Sequence, residues 1–323
     1  MLTPELLNRA VEILRHGGVI ALPTETVYGL AANAEDELAV RRIFAIKGRP
    51  ATHPLIVHLP DADALPDWAH PIPKEAWRLA EAFWPGPLTL VLPRTPRATD
   101  AVTGGQDTVA LRVPSHPLAL AVLRELGGGL AAPSANRFGR VSPTSAEHVR
   151  QDLGDEVDLI LDGGPCTVGV ESTIVDLSSG EPSILRSGGL PAEELERVLG
   201  RPVPVRTASS VRVSGSLASH YAPRVGVVLV EPSEAVARAE ALRMQGLQVG
   251  VLGPTRLPLP RDLLRFDIPE DPAGAARMLY LRLREADMAG LDVLIACLPP
   301  AQGLGVAVRD RLSRAAAPRL PEA

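Results

Sequence analysis

The chain is poor in cysteine, and its two thiols, Cys166 and Cys297, lie far apart and form no CxxC pair. That excludes a disulfide framework and a cysteine zinc site, and a reducing compartment, the cytoplasm, is expected. No charged leader with an apolar core opens the sequence. No apolar run reaches the roughly 18 residues that a membrane span needs. A formal charge of -5 argues against a protein that coats nucleic acid by bulk electrostatics, and leaves room for a local basic pocket. Lysine is nearly missing: Lys47 and Lys74 are the whole set, so the lysine in Ala45-Ile46-Lys47-Gly48-Arg49 stands out. GxxxxGK[ST], GxGxxG and HExxH are all lacking, which removes the common nucleotide-loop and zinc-protease readings.

What is there suffices for a folded enzyme. A length of 323 residues with 46% hydrophobic content supports a large core and two domains. Pro4 to His16 has helical spacing and stops at Gly17-Gly18. Val19 to Leu22 reads as a buried strand closed by Pro23, and Glu37 to Lys47 as an amphipathic helix, together a strand-loop-helix unit. Strands are expected at 55–59, 88–92, 109–113, 130–132, 159–161 and 172–177. Helices are expected at 74–83, 117–126, 146–153 and 191–199. This mixture predicts an α/β domain over residues 1–200. A proline- and serine-rich stretch, 201–224, reads as a linker. Beyond it, 225–323 has buried strands at 225–230, 248–252 and 293–296 between helices at 234–245 and 273–289, a small parallel α/β domain.

Several segments put polar groups at the ends of apolar strands. Pro23 to Leu30 sets two threonines, Glu25 and Tyr28 directly after a strand, where α/β folds commonly bind ligands, although a threonine-capped turn reads the same way. Lys47 and Arg49 could bring a point charge and a bidentate fork to one phosphate chain, or simply complement a helix C-terminus. Arg112 interrupts an apolar strand; buried, it needs a carboxylate from the protein or from a ligand. Ala131 to Asn136 and Ser142-Pro143-Thr144 offer small residues and hydroxyls that suit phosphate oxygens, or ordinary turns and a helix cap. Cys166 has no His or Asp partner in local sequence and is assigned no nucleophilic role.

In order, PTETVYGL, KGRP with HPLIVH, FWPGPLTLVL, TVALRVP, APSAN with SPT, GVESTIVD and ILR resemble the threonylcarbamoyl-AMP synthase family, the Sua5/YrdC/YwlC proteins. His220-Tyr221-Ala222-Pro223 resembles the HYAP element of its longer form. The resemblance implies a YrdC-like twisted mixed sheet with helices, plus a smaller Rossmann-like parallel α/β C-terminal domain. It implies a nucleotidyltransferase that makes threonylcarbamoyl-AMP and pyrophosphate from L-threonine, bicarbonate and ATP for t6A modification of tRNA, with Mg2+ accompanying ATP. Residue by residue, it gives threonine to Thr26, His58, Arg112, Ala132 and Ser172. It gives ATP to Arg49, His53, Thr108, Ser134, Ser142, Arg186 and Tyr221, with Lys47 and Arg49 as the catalytic cations. A separate tRNA threonylcarbamoyl-transferase complex is the implied downstream partner, with at most a weak direct contact to tRNA and none to a membrane. His53 replaces a frequent asparagine of the family, and Phe138 a serine. Two other readings stay open at this stage. One is a carbamoyl-phosphate-using relative, whose zinc-finger and acylphosphatase segments are not found in this sequence. The other is an RNA-binding module without catalysis.

Overall fold

Thr3 starts the first helix by accepting the Leu6 amide, Pro4 occupies its first turn, and Ala10, Val11 and Leu14 face inward. In this computed structural model, residues 3–206, 209–215 and 220–318 are described. They fall into two compact units: 3–138, 142–167 and 171–215 in one, 139–141, 168–170 and 220–318 in the other.

The first unit runs α1 (Pro4–Arg15), β1 (Ile20–Leu22), β2 (Gly29–Asn33), α2 (Glu37–Lys47), β3 (Ile56–His58), α3 (Leu65–Trp68), α4 (Lys74–Phe83) and β4 (Leu88–Pro93). It continues α5 (Asp100–Thr103), β5 (Thr108–Arg112), α6 (Pro117–Leu126), β6 (Leu130–Ala131), α7 (Ala146–Leu153), β7 (Leu159–Ile160), β8 (Thr173–Asp176), β9 (Ser183–Arg186) and α8 (Ala192–Leu199). The described strands form one mixed sheet in the order β7-β1-β2-β6-β3-β5-β4-β8-β9. The expected strand-loop-helix unit is instead a β1–β2 antiparallel pair followed by α2, with Ala21 opposite Leu30. β2 reads Gly-Leu-Ala-Ala-Asn, small residues of low strand propensity, and it becomes a strand because β1 and β6 flank it.

Register decides what each face of this sheet carries. Side chains alternate along a strand, and paired residues share a face. One face presents Ala21, Leu30, Val57, Leu90, Val109, Leu111, Ala131 and Val175, which join the main core with residues of α2, α3, α4, α7 and α8. On the other face, Ile20, Leu22, Ala31 and Leu130 are covered by α1 and α6. Further along that second face the apolar cluster is Ile56, Val91, Ile174 and Val213, with Ala110, Leu185 and Val211 against it, and no helix residue belongs to it. This part of the sheet is free to carry chemistry.

The second unit runs β10 (Gly226–Val230), α9 (Ala235–Arg243), β11 (Val249–Pro254), β12 (Leu264–Ile268), α10 (Pro272–Met288), β13 (Val293–Cys297) and α11 (Leu304–Ala316). Its described strands pair in parallel in the order β10-β13-β11-β12. β12 and α11 add to the elements expected from sequence. The alternating charges of Leu-Arg-Phe-Asp-Ile and the glycine at the start of α11 hide their periods. Among the described residues no helix is long and apolar enough to cross a membrane.

Part of the stretch read as a linker is ordered on the first unit's sheet. Arg212 and Gln106 exchange a reciprocal pair of bonds: the Arg212 amide donates to Gln106 Oε1 (2.7 Å), and Gln106 Nε2 donates to the Arg212 carbonyl (3.0 Å). Val211 and Val213 thereby join the open-face cluster. Of the remaining linker reading, 207–208 and 216–219 lie outside the described residues.

Candidate active site

β3 and β5 pair in parallel with His58 opposite Arg112, so both side chains enter the open face beside Ile56 and Ala110. Arg112 is 4% exposed. Its Nη2 donates to Glu25 Oε1 (2.7 Å) and its Nε to the Gly86 carbonyl (3.2 Å), so the carboxylate that the strand arginine requires comes from the β1–β2 loop. Glu25 Oε2 accepts the Ser115 amide (3.0 Å). Next to it Thr24 folds the loop back on itself: its hydroxyl donates to the Val27 carbonyl (2.6 Å), accepts the Thr26 and Val27 amides, and shares a 2.8 Å bond with the Thr26 hydroxyl. Thr26 is fully buried.

His58 is 3% exposed, and among the described residues its Nδ1 has no hydrogen-bond partner. Burial, then the Arg112 charge, pushes the ring down to about 3, so it is a neutral imidazole at physiological pH. The unfolded chain protonates this residue near pH 6.5 and the folded chain does not. Stability should therefore fall by about 1.4 kcal/mol per pH unit as pH drops below 6.5. His58→Leu is expected to lose that slope in urea unfolding at pH 7, 6 and 5. A variant that kept the wild-type acid slope would contradict a buried neutral ring.

On the same face, Ser172 Oγ lies 2.7 Å from Thr89 Oγ1. Arg186, opposite Ile174 in β9, donates Nε and Nη2 to the Ser172 carbonyl (3.2 and 2.9 Å) and Nη1 to the Ser214 carbonyl (2.8 Å). Gly188 makes this possible: a Cβ there would sit 2.3 Å from the Glu171 carbonyl oxygen. Thr108 opens β5 and, with Ile56, Ala110 and Val213, lines a cleft beneath the Arg212 segment.

The α2 end and the small-residue loop meet directly. Gly48 ends α2 in the left-handed region (φ 62°), and Lys47 turns inward, 3% exposed. Its Nζ donates to the Ser134 carbonyl (2.5 Å) and the Asn136 carbonyl (2.6 Å). Burial, then the Arg49 charge, pushes this amine well below the usual lysine range, with Asp152 opposing. Arg49 Nη2 donates to the Pro54 carbonyl (2.9 Å). The Ser134 loop is bound in turn to the β1–β2 loop: Leu30 N donates to the Pro133 carbonyl and Ala135 N to the Tyr28 carbonyl. The Tyr28 amide reaches the Pro143 carbonyl, and Ser142 Oγ donates to Glu171 Oε1 (2.7 Å), the residue before Ser172. Ala132, 6% exposed, donates its amide to the Ile56 carbonyl. Thus Thr26, Lys47, Arg49, His58, Thr108, Arg112, Ala132, Ser134, Ser142, Ser172 and Arg186 belong to one face and the loops stitched beside it.

Comparison with known proteins gives this arrangement a family. The family pattern Sua5_yciO_yrdC, described as "Telomere recombination", matches residues 12–188, and the pattern described as "Threonylcarbamoyl-AMP synthase, C-terminal domain" matches 190–317. A threonylcarbamoyl-AMP synthase of Pyrococcus abyssi is 43% identical over 322 residues, 96% of this chain and 94% of that protein. The chain belongs to the threonylcarbamoyl-AMP synthase family. Another threonylcarbamoyl-AMP synthase, from Bacillus subtilis, is 40% identical over 328 residues, 97% of this chain and 94% of that one. The crystal structure of P. abyssi Sua5 complexed with L-threonine superposes with a TM-score of 0.93 at 40% identity, covering 98% of this chain and 95% of that one.

The two positions that depart from the threonylcarbamoyl-AMP synthase pattern touch each other. The His53 and Phe138 rings meet edge to face at 5.4 Å, and the Arg49 guanidinium lies 5.6 Å from the Phe138 ring centre. Burial, then the Arg49 and Arg212 charges, lowers the His53 pKa. Tyr221 belongs to the second unit. It is 1% exposed with φ 59°, the one non-glycine residue among those described in the left-handed region. There it stacks on Tyr280 (5.8 Å) and lies under the Arg311 guanidinium (4.9 Å). Burial first, and then the charge of Glu25, pushes the Cys166 thiol up to about 12, so it is not a thiolate nucleophile. The sequence assigns no ligand to Glu25, Thr89, Gln106 or Glu171, which the fold places beside the candidate site residues. The signal available for Glu25 was its position in a loop leaving a buried strand, and its partner Arg112 stands 87 positions away.

Proposed function

We propose that this chain joins L-threonine, bicarbonate and ATP into threonylcarbamoyl-AMP, releasing pyrophosphate. The observation that carries the reading is the open sheet face, where a buried arginine fork and a neutral histidine acceptor stand side by side on β3 and β5. Arg112 keeps Nη1 for the threonine carboxylate, because Nε and Nη2 are already held. His58 Nδ1 accepts a proton donor of threonine, and Thr26, Ala132 and Ser172 complete the threonine set. Arg49, His53, Thr108, Ser134, Ser142 and Arg186 form the ATP set, and the resemblance to the family gives Tyr221 to ATP as well.

The chemistry needs no covalent enzyme intermediate. The threonine nitrogen, as the free amine, attacks the bicarbonate carbon and water leaves, giving a carbamate; a carbamate oxygen then attacks the α-phosphorus in line as pyrophosphate departs. Catalysis then rests on positioning and on cations where charge develops. Arg49 supplies one of them. Lys47 holds two carbonyls, and a triphosphate beside it would favour its ammonium form against burial and Arg49; that form retains a third N–H for a phosphate oxygen. Among the described residues no three His, Cys, Asp or Glu side chains are grouped to hold a metal. Mg2+ is accordingly proposed as an ion carried by phosphate oxygens and water. The product would pass to a tRNA threonylcarbamoyl-transferase complex, and the cytoplasm is the proposed location.

Mass spectrometry after mixing the full chain with ATP, Mg2+, bicarbonate and L-threonine, each omitted in turn, tests the reaction. Threonylcarbamoyl-adenylate is expected from the complete mixture alone; salt-sensitive tRNA binding with no adenylate or pyrophosphate would replace this reading with RNA binding. For the ATP set, Tyr221→Ala is expected to raise the ATP concentration needed for half-maximal rate and to release AMP. Wild-type kinetics would remove Tyr221 from that set.

A further inference from the structure

Glu25 has no task in the scheme above. It is 6% exposed and its ion pair with Arg112 is fully inside the first unit. Each oxygen accepts one hydrogen bond, from Arg112 Nη2 and from the Ser115 amide, and each keeps a lone pair. We propose that Glu25 is a specificity-determining residue, which makes the pocket around Arg112 electrically neutral and so selects an amino-acid zwitterion over a simple carboxylate of the same shape. This rests on the assignment of Arg112 to the threonine carboxylate.

The charge count follows from the neighbours. His58 is neutral, and Cys166, which feels both Glu25 and Arg112, is a thiol. Thr26, Thr89 and Ser172 bring hydroxyls, and beyond Ser172 the buried Arg186, which donates to Ser172 Oγ (3.2 Å), and Glu171, which accepts from Ser142, add one charge of each sign. Arg112 and Glu25 therefore cancel. A lone carboxylate entering this buried place would leave one uncompensated negative charge, which low-dielectric surroundings penalise heavily. A zwitterion adds no net charge: its carboxylate meets Arg112 Nη1, and its ammonium meets the open lone pairs of Glu25. A glutamate that only braced Arg112 would lack this discrimination, because bracing affects every carboxylate alike.

Calorimetric binding of L-threonine and of (R)-3-hydroxybutanoate, which keeps the carboxylate, hydroxyl and methyl and lacks the amine, tests the inference on the full chain. Glu25→Gln is expected to weaken L-threonine about tenfold to hundredfold, as loss of a charge-assisted hydrogen bond would. It is expected to tighten (R)-3-hydroxybutanoate, while Glu25→Asp keeps the wild-type preference. Equal weakening of both ligands, or an unchanged ratio, overturns the inference. Wild type alone gives a second measurement that no folding defect can spoil. L-threonine methyl ester and (R)-3-hydroxybutanoate should both bind more weakly than L-threonine. If (R)-3-hydroxybutanoate binds as well as L-threonine, the pocket is not neutral and the inference fails. If L-threonine binding is unaffected by Arg112→Met, the carboxylate assignment itself fails, a separate result from an unmoved Glu25→Gln ratio.

Discussion

Arg112→Met should raise the KM for L-threonine by about 30-fold to more than 10³-fold while leaving the KM for ATP within a few-fold, measured by pyrophosphate release. Truncating one partner of a buried, hydrogen-bonded charge pair costs roughly 2–5 kcal/mol, and here the partner left unpaired is the substrate carboxylate. The same change strands Glu25, whose Oε1 loses its only donor. Removing one member of a buried pair costs about 3–5 kcal/mol of folding stability. The double variant Glu25→Gln/Arg112→Met separates the two effects: it should recover most of the stability in urea unfolding and none of the threonine affinity. If the double variant regains threonine binding, Arg112 serves the fold and not the substrate.

Lys47→Met is expected to lower kcat by about 10²–10³-fold, the range for removing one preorganised donor from a developing charge. The Ser134 and Asn136 carbonyls would each lose the short bond that Lys47 Nζ donates, leaving the Ser134 carbonyl with the Asn136 amide alone, so the loop that carries Ser134 loosens as well. Arginine cannot replace it, since a planar fork does not reproduce a compact tetrahedral donor set. A pH series gives a second readout. Because the folded amine titrates well below 10.5, the unfolded chain binds a proton that the folded chain lacks across the window between the two values. Stability of wild type relative to Lys47→Met should therefore rise with pH through that window. A flat difference across alkaline pH would contradict the lowered amine, and an unchanged kcat would remove Lys47 from catalysis.

Most of the fold could be read from periodicity, and the exceptions share a cause. Helices with strong caps, such as α2 between Asp36 and Gly48, start and stop where their residues dictate. β2 is invisible in isolation because its Gly-Leu-Ala-Ala-Asn run becomes a strand through its neighbours. The candidate site residues stand in separate motifs in the sequence, and register and loop contacts bring most of those motifs together. The partner choices were not legible. Sequence allows Arg112 either a protein or a ligand carboxylate, and only folding brings Glu25 within 2.7 Å. Sequence likewise points Lys47 toward phosphate, whereas its amine also holds the backbone of a loop 87 and 89 positions away.

The alternation along β3 and β5 has a consequence for how these strands would record mutation. In β5, Val109 and Leu111 face the helices, while Thr108, Ala110 and Arg112 face the open side; in β3, Val57 faces the helices and Ile56 and His58 do not. A saturation scan should thus show two interleaved patterns, with odd positions sensitive in protein abundance alone and even ones sensitive in turnover, Arg112 being sensitive in both because of its buried pair with Glu25. A lineage that lost the need for the reaction but kept the protein folded would preserve one parity of these strands and let the other drift.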